Sequence, residues 1–124
     1  MPNIKYVGKN LFIEKLSVVN IAKKGGTPFY IYSENQIKEN YIKFVNTFKK
    51  IKPLVCFAAK SNSNLSILRS LGKLGAGTDV VSIGELLKAL KAGIKANKIV
   101  FSGVGKTEEE LKIAINKKIL LINF

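Results

Sequence analysis

The chain has 124 residues, of which 47% are hydrophobic and 23% charged, a composition that excludes a disordered segment and favours one globular domain. Its formal net charge is +13, but Arg69 is the only arginine and the lysines are spread along the chain, which argues against base reading in nucleic acid. The absence of histidine excludes histidine metal sites and Ser-His-Asp or Cys-His catalysis within these residues.

The chain carries no targeting or membrane signal. No apolar run approaches the roughly 18–20 residues that a membrane helix needs, and the first ten residues lack the basic-then-apolar pattern of a secretory signal. We therefore expect a cytoplasmic protein with neither a membrane nor a nucleic acid as its partner. Cys56 is the only cysteine, so no disulfide can form within the chain.

The first third of the chain predicts an N-terminal segment followed by a helix. Residues 1–27 suggest short pieces, and the aromatic run PFYIYS at 28–33 predicts a strand. A capping-box sequence, Ser33–Gln36, opens a helix. Its predicted apolar face consists of Ile37, Tyr41, Phe44, Val45 and Phe48.

From residue 54 onward, predicted strands alternate with predicted helices. The strands are 54–59, 76–81, 98–101 and 119–122. Capping boxes at residues 82–85 and 107–110 start two of the helices. Leu65, Leu68 and Leu71 mark the first helix. The predicted buried face of the second helix is Leu86, Leu87, Leu90 and Ile94, and one side of the third carries Leu111, Ile115 and Ile119.

The regular spacing of these units predicts part of a (β/α)8 barrel. Strand ends near residues 60, 79, 102 and 123 lie roughly 20 residues apart, and each unit of such a barrel advances one strand. A whole barrel needs about 250 residues, so we expect about four barrel strands, residues 34–124, as a truncated first half. An open flavodoxin-like sheet is the alternative.

Lys60 is the candidate catalytic residue. Strand alternation puts it on the same face as Cys56 and Ala58, at the carboxyl end of a strand, where barrel active sites form. Partial desolvation there would free its amine for attack on carbonyl groups. A lysine that extends into solvent is the structural alternative. Asp79 lies one unit later at the same end, and its carboxylate would pair with the cationic Lys60 or with a protonated Schiff base formed by it. An ion pair with a purely structural role is the alternative.

Three other features of the sequence are explained without a catalytic role. Glu85 is explained by its capping box with Ser82, and Cys56 reads as a small buried hydrophobe. The sequence GVGKT at 103–107 lacks the first glycine of a P-loop, because position 100 is Val100, so the loop is too short to wrap a triphosphate.

Four segments in order, GTPFYIYS, CFAAKSNSN, LGAGTDVVSIGEL and IVFSGVGKTEEEL, resemble the diaminopimelate decarboxylase family. The resemblance covers about residues 11–123. It implies an alanine-racemase-like barrel with pyridoxal 5'-phosphate at its mouth and no metal. Lys60 would hold the cofactor covalently, with Ala58, Asp79 and Glu85 also in the cofactor site. Strand 28–33 would belong with a separate β-domain, which sets a domain boundary after Ser33.

The activity implied is decarboxylation of meso-2,6-diaminopimelate to L-lysine and CO2 by a homodimeric enzyme. We expect the 124 residues to be an N-terminal fragment that is inactive alone. Ornithine or arginine decarboxylases of the same fold are the nearest alternative, although these tend to read Asp-Cys-Ala-Ser where this chain has residues 79–82. A non-catalytic pyridoxal-phosphate-binding domain is another alternative, and a basic nucleic-acid binder is the least favoured.

Overall fold

A computed structural model describes residues 3–124, so the first two residues of the predicted N-terminal segment lie outside the described range. The chain divides into two compact units, one ending at Asn40 and the other running from Tyr41 to Phe124. The elements in chain order are β1 (Ile4–Val7), β2 (Asn10–Ile13), β3 (Leu16–Ser17), α1 (Val18–Gly25), α2 (Glu34–Thr47), β4 (Cys56–Ala58), α3 (Leu65–Lys73), β5 (Gly77–Val80), α4 (Ile83–Lys91), β6 (Ile99–Phe101), α5 (Glu108–Asn116) and β7 (Leu121–Ile122).

The first unit contains a small antiparallel sheet that the sequence did not reveal. β1 pairs with β2, and β2 pairs with the two-residue β3. The turn between β1 and β2 contains Gly8, whose φ of 60° is the left-handed conformation that glycine adopts without steric cost. Each strand is four residues or shorter, which is too short for alternation to be recognised with certainty.

The strand predicted at residues 28–33 is wrong, because this segment has no regular secondary structure. Tyr30 and Tyr32 are 92% and 57% exposed, so the aromatic content that favoured a strand is not used for packing within residues 3–124. Pro28 has no backbone N–H to offer a neighbouring strand. The domain boundary that was predicted after Ser33 remains a prediction.

The helix predicted to start at Ser33 is present as α2. The hydroxyl of Ser33 accepts a hydrogen bond from the backbone N–H of Gln36 at 3.0 Å, which satisfies one free amide of the first turn. The same hydroxyl donates to a carboxylate oxygen of Glu14 at 2.7 Å, so the cap is itself fixed in the first unit.

The second unit is built on a four-stranded parallel sheet in the order β4-β5-β6-β7. The order follows the sequence without a reversal. A flavodoxin-like sheet would change direction at a switch point, so that alternative is wrong for the strands described and the barrel-type arrangement is confirmed. Each strand is shorter than predicted, since the outer residues of each apolar run lie in 3-10 turns, bends or irregular backbone.

Side-chain caps explain where the helices of this unit begin. The side chains of Asn64, Ser82 and Thr107 each accept a hydrogen bond from a backbone amide in the first turn of α3, α4 and α5. Thr107 and Glu110 form the predicted capping box. The predicted buried face of α4 is partly wrong, because Leu87 is 49% exposed while Leu86 is fully buried.

The parallel sheet has two chemically different sides. One side, here called the helix-facing side, packs on or within the core formed with the helices: Phe57, Thr78, Val80, Ile99, Phe101 and Ile122. Alternation places the remaining strand residues on the other side, here called the open side: Cys56, Ala58, Gly77, Asp79, Val100 and Leu121. The helix-facing side therefore supplies most of the apolar burial.

The longest of the described helices, α2, has 14 residues. Within residues 3–124, no helix combines the length and the apolar character needed to cross a membrane.

Candidate active site

Lys60 lies in a single 3-10 turn, Ala59–Ser61, directly after β4. The strand ends at Ala58, so the alternation that was predicted to carry Lys60 onto the apolar stripe stops two residues earlier. Ala59 is completely buried in the core, whereas the side chain of Lys60 is exposed. The expected desolvation of Lys60 is therefore wrong for this chain, while its position at the carboxyl end of the strand is as predicted.

The turn that carries Lys60 is held by its polar neighbours. The hydroxyl of Ser61 donates to the carbonyl of Ala58 at 2.7 Å, which closes the turn around Lys60. The side chain of Asn62 accepts from the amide of Asn64 at 3.0 Å. The amine of Lys88 in α4 donates to the hydroxyl of Ser63 at 2.9 Å. The backbone of Lys60 is thus fixed although its side chain is free to reach outward.

Ala58 and Asp79 lie beside each other on the open side of the sheet, as partners in the register of β4 and β5. Both are half-buried. The Oδ1 atom of Asp79 is buried and has no hydrogen-bond partner. A buried, unpaired carboxylate oxygen is costly, and this atom lies on the strand adjacent to the one that leads into Lys60. Oδ1 of Asp79 is therefore a hydrogen-bond acceptor for which the described residues supply no donor.

The structure does not join Lys60 to Asp79. Within residues 3–124 no ion pair connects these two side chains, so the predicted pairing is not made by this chain. Asp79 lies opposite Ala58, and Lys60 lies two residues beyond that point along the chain. The two residues therefore share one end of the sheet without a hydrogen bond or an ion pair between them.

Cys56 occupies the open side two residues before Ala58. It is half-buried rather than buried, which corrects the expectation drawn from the sequence. Burial raises the pKa of the Cys56 thiol, and the negative charge of Asp79 raises that pKa further. Burial also raises the pKa of Tyr41, with a smaller contribution from Cys56. Because the thiolate is the nucleophilic form, the raised pKa makes the thiol of Cys56 less reactive than an ordinary thiol.

Glu85 acts on the backbone of its own loop. Its Oε2 atom accepts from the amide of Val81 at 2.9 Å, while its own amide donates to the hydroxyl of Ser82 at 3.3 Å. In the predicted capping box the carboxylate would bind the amide of Ser82, so the observed bond is shifted by one residue. Glu85 fixes the loop that follows Asp79, and its described hydrogen bonds do not involve Lys60.

Sequence reasoning missed the role of the GVGKT loop, 103–107. Gly103 has a φ of 96°, and the amine of Lys106 folds back to donate to the carbonyl oxygens of Gly103 and Asn123. Those bonds occupy the amine that a P-loop would direct at phosphate. The spacing of the glycines and Lys106 was the only sign in the sequence that this loop has a special structure. It could not show that the amine of Lys106 binds the carbonyl of Asn123, which follows β7.

Two further features lie outside this arrangement. A cavity of about 510 Å³ in the first unit is lined by Phe12, Lys15, Leu16, Ser17, Asn20, Ile21, Lys23 and Lys24, and includes none of the predicted site residues. In the described part of the chain, no cluster of three or more His, Cys, Asp or Glu side chains could hold a metal ion.

Comparison with known proteins identifies the family. A family model described as "Pyridoxal-dependent decarboxylase, pyridoxal binding domain" matches residues 34–124. The chain belongs to this family. The matched region contains Lys60, Ala58, Asp79 and Glu85 together with the whole four-stranded parallel sheet.

Individual relatives agree with this assignment. The chain is 46% identical over 122 residues, 98% of its length, to diaminopimelate decarboxylase of Aquifex aeolicus, and 55% identical over 97 residues, 78% of its length, to that of Campylobacter jejuni. A crystal structure of diaminopimelate decarboxylase from M. jannaschii, in complex with L-lysine, superposes with a TM-score of 0.94 at 39% identity over 98% of the chain. The alanine-racemase-like fold expected from the sequence is confirmed.

The chain spans under a third of the length of these relatives. It covers 29% of the Aquifex aeolicus protein, 24% of the Campylobacter jejuni protein and 30% of the M. jannaschii chain. The features described above are therefore those of one part of the proteins it resembles.

Proposed function

We propose that this chain provides the cofactor-holding lysine, Lys60, of a pyridoxal-phosphate-dependent decarboxylase that converts meso-2,6-diaminopimelate to L-lysine and CO2. The observation that carries the proposal is the unpaired, buried Oδ1 atom of Asp79 beside Ala58, at the end of the sheet where Lys60 emerges. This atom fits a ligand that brings a positive charge or an N–H donor to the open side.

The chemistry of the reaction would come from the cofactor, whose ring accepts the electron pair left when the bond to CO2 breaks. Lys60 would hold the cofactor covalently, and its amine, once displaced, would return a proton to the substrate Cα. The exposed side chain on a fixed turn suits this role, since its amine would be accessible to a cofactor bound at this end of the sheet. Ala58 would leave room beside the sheet for that group.

Asp79 and Glu85 would have different duties in the same site. Asp79 would stabilise positive charge next to the bond between Lys60 and the cofactor, because its free oxygen is an acceptor in a poorly solvated position. Glu85 would keep the loop after Asp79 in place through its bond to the amide of Val81. Neither residue needs to touch the substrate.

The relatives support the choice of substrate. The named relatives are diaminopimelate decarboxylases at 46% and 55% identity, and the M. jannaschii enzyme was solved with L-lysine, the expected product. We further propose a homodimer as the working form. Ornithine or arginine as the substrate is the alternative, but no residue described above favours it.

Covalent labelling tests the role of Lys60. The longer protein of which this chain is expected to form the N-terminal part is incubated with pyridoxal 5'-phosphate, reduced with borohydride and digested, and the modified lysine is mapped by mass spectrometry. We expect the adduct on Lys60, its loss in Lys60→Ala, and its retention in Lys91→Ala, which removes an exposed lysine in the last turn of α4. Labelling spread evenly over surface lysines would contradict a specific site.

Substrate choice needs a separate measurement. Release of CO2 by the longer protein of which this chain is expected to form the N-terminal part is compared for meso-diaminopimelate, L-ornithine and L-arginine under the same conditions. Preferential release from ornithine or arginine would contradict the proposed substrate while leaving the role of Lys60 intact.

A further inference from the structure

Lys106 joins two loops that are far apart in the sequence. Its amine donates to the carbonyl of Gly103, in the loop between β6 and α5, and to the carbonyl of Asn123, directly after β7. The amine also lies 5.7 Å from the ring centroid of Phe101 and 5.6 Å from that of Phe124, within the range of cation–π attraction. A single side chain thus connects the ends of two adjacent strands.

Glu110 makes a second connection between loops. Its Oε1 atom accepts from the amide of Ile83, the first residue of α4, at 3.0 Å, and its Oε2 atom accepts from the amide of Thr107 at 3.1 Å. The bond to Thr107 belongs to the capping box of α5, but a capping box does not require the bond to Ile83. One carboxylate therefore holds the start of two helices.

The three loops also touch directly. These loops, here called the rim loops, are residues 81–82 after β5, 102–107 after β6 and 123–124 after β7. A Cβ added to Gly103 would lie 3.5 Å from the Cβ of Val81, so the second loop packs against the first. The amides of Ser102 and Asn123 donate to the carbonyls of Val80 and Phe101, each one strand back, which extends the ladder into the rim loops.

We propose that Lys106 and Glu110 are positioning residues, which hold the three rim loops in one arrangement at the carboxyl end of the sheet and so shape the site that receives the cofactor. The role toward the cofactor rests on the proposed function, but whether these residues hold the loops together can be measured without a cofactor. Carboxyl-end loops carry the site in barrels of this type, and a site must be held to within about 0.5 Å to work. Neither residue touches Lys60 or Asp79 through any hydrogen bond described above, so they act through the backbone.

Hydrogen exchange of the 124-residue chain, followed by NMR, tests whether the loops are joined. The informative amides are those of Ser102 and Asn123 for Lys106, and those of Ile83 and Thr107 for Glu110. We expect exchange at the first pair to become about tenfold faster in Lys106→Met, since a hydrogen bond from a charged group is worth at least this factor. Lys106→Arg should restore most of the protection, and Glu110→Gln should loosen the second pair.

Matched controls come from α5, the helix that follows Lys106 and contains Glu110. Lys112→Met removes an exposed lysine paired with Glu108, and Glu109→Gln alters an exposed neighbour of Glu110. Both controls should leave the four amides unchanged. Amides of Val80 and Ile99 report on the sheet itself, and we expect their exchange to stay the same in Lys106→Met. Unchanged exchange of Ser102 and Asn123, or equal effects of Lys106→Met and Lys106→Arg, would overturn the proposal.

The cofactor readout separates this proposal from the one on Lys60. The concentration of pyridoxal phosphate that half-saturates the reducible adduct on Lys60 should rise about tenfold in Lys106→Met, in step with the exchange rate, and recover in Lys106→Arg. Faster exchange with unchanged half-saturation would overturn the positioning role and leave Lys106 as structural only. Absence of any Lys60 adduct in the longer protein of which this chain is expected to form the N-terminal part would count against the proposed function, and the exchange of the four amides would still decide whether Lys106 and Glu110 join the loops.

Discussion

The two sides of the parallel sheet are built from alternate residues of the same short strands, yet they do different work. On the helix-facing side, Thr78, Val80, Ile99 and Phe101 are all fully buried. On the open side, Cys56, Ala58, Asp79 and Val100 are only half-buried, and one of their polar atoms lacks a partner. The helix-facing side therefore provides most of the stabilising burial, whereas the open side holds the polar atom that lacks a hydrogen-bond partner.

This difference explains how one strand can carry both roles. In β5, Thr78 and Val80 face the helices, and the hydroxyl of Thr78 donates to the carbonyl of Phe57 at 2.8 Å, so its burial is compensated. Asp79, between them, has no such compensation at Oδ1. A polar group on the core side is satisfied within the fold, whereas a polar group on the open side is available to a ligand.

The largest expected effect comes from neighbouring residues on opposite sides. Phe101→Ala removes a fully buried ring from the core and should lower the free energy of unfolding by about 3–5 kcal/mol. Val100→Ala, one residue earlier on the open side, should lower it by about 1 kcal/mol because no closed cavity results. Urea unfolding followed by far-ultraviolet circular dichroism measures both. Equal losses would mean that the two sides contribute alike.

Most of the second unit could be predicted from the sequence, because its signals are local. The side chains of Ser82 and Thr107 were recognised as caps from the residues that follow them, and both accept hydrogen bonds from the first turn of a helix. The order of four parallel strands followed from the alternation of strand and helix. Strand ends were less predictable, since the apolar residues at 54–55 look like those within β4.

The site was less predictable, because it depends on tertiary contacts. Position along the chain was enough to locate Lys60 and Asp79 at the same end of the sheet. The direction of Lys60 was not, since β4 ends at Ala58 and a 3-10 turn, Ala59–Ser61, follows it. The contacts of Lys106 with Asn123 and of Glu110 with Ile83 join residues separated by a helix or a strand, and no local pattern in the sequence encodes them.

Gly77 is a position on the open side of the sheet where neighbouring atoms leave no space for a side chain. A Cβ there would lie 2.3 Å from the carbonyl oxygen of Lys98 and 2.8 Å from the Sγ atom of Cys56. Gly77→Ala should therefore lower the free energy of unfolding by about 1–3 kcal/mol, the usual range for overpacking. Thermal unfolding monitored by calorimetry or circular dichroism would measure the loss.

Gly84, in the first turn of α4, is the matched control for Gly77. The nearest atom to an added Cβ is the Oγ of Ser82 at 3.8 Å, which is ordinary contact. Gly84→Ala should raise the stability by up to about 1 kcal/mol, since alanine loses less backbone freedom in a helix. If both substitutions were neutral, the backbone contact at Gly77 would not limit the fold, and the open side would be free to vary.

The smallest effect concerns the charge on the open side and should change reactivity more than stability. The pKa of the Cys56 thiol is raised first by burial and then by the negative charge of Asp79. Asp79→Asn removes the charge but keeps the shape, so the pKa should fall and thiolate should form at lower pH. The rate of alkylation by iodoacetamide against pH should then shift toward lower pH in Asp79→Asn.

Tyr41→Phe is the control, since a neutral hydroxyl contributes no charge, and its profile should match that of the unmodified chain. An unshifted profile in Asp79→Asn would mean that the carboxylate does not act on this side of the sheet, and it would remove the electrostatic argument for Asp79 beside a cationic cofactor bond.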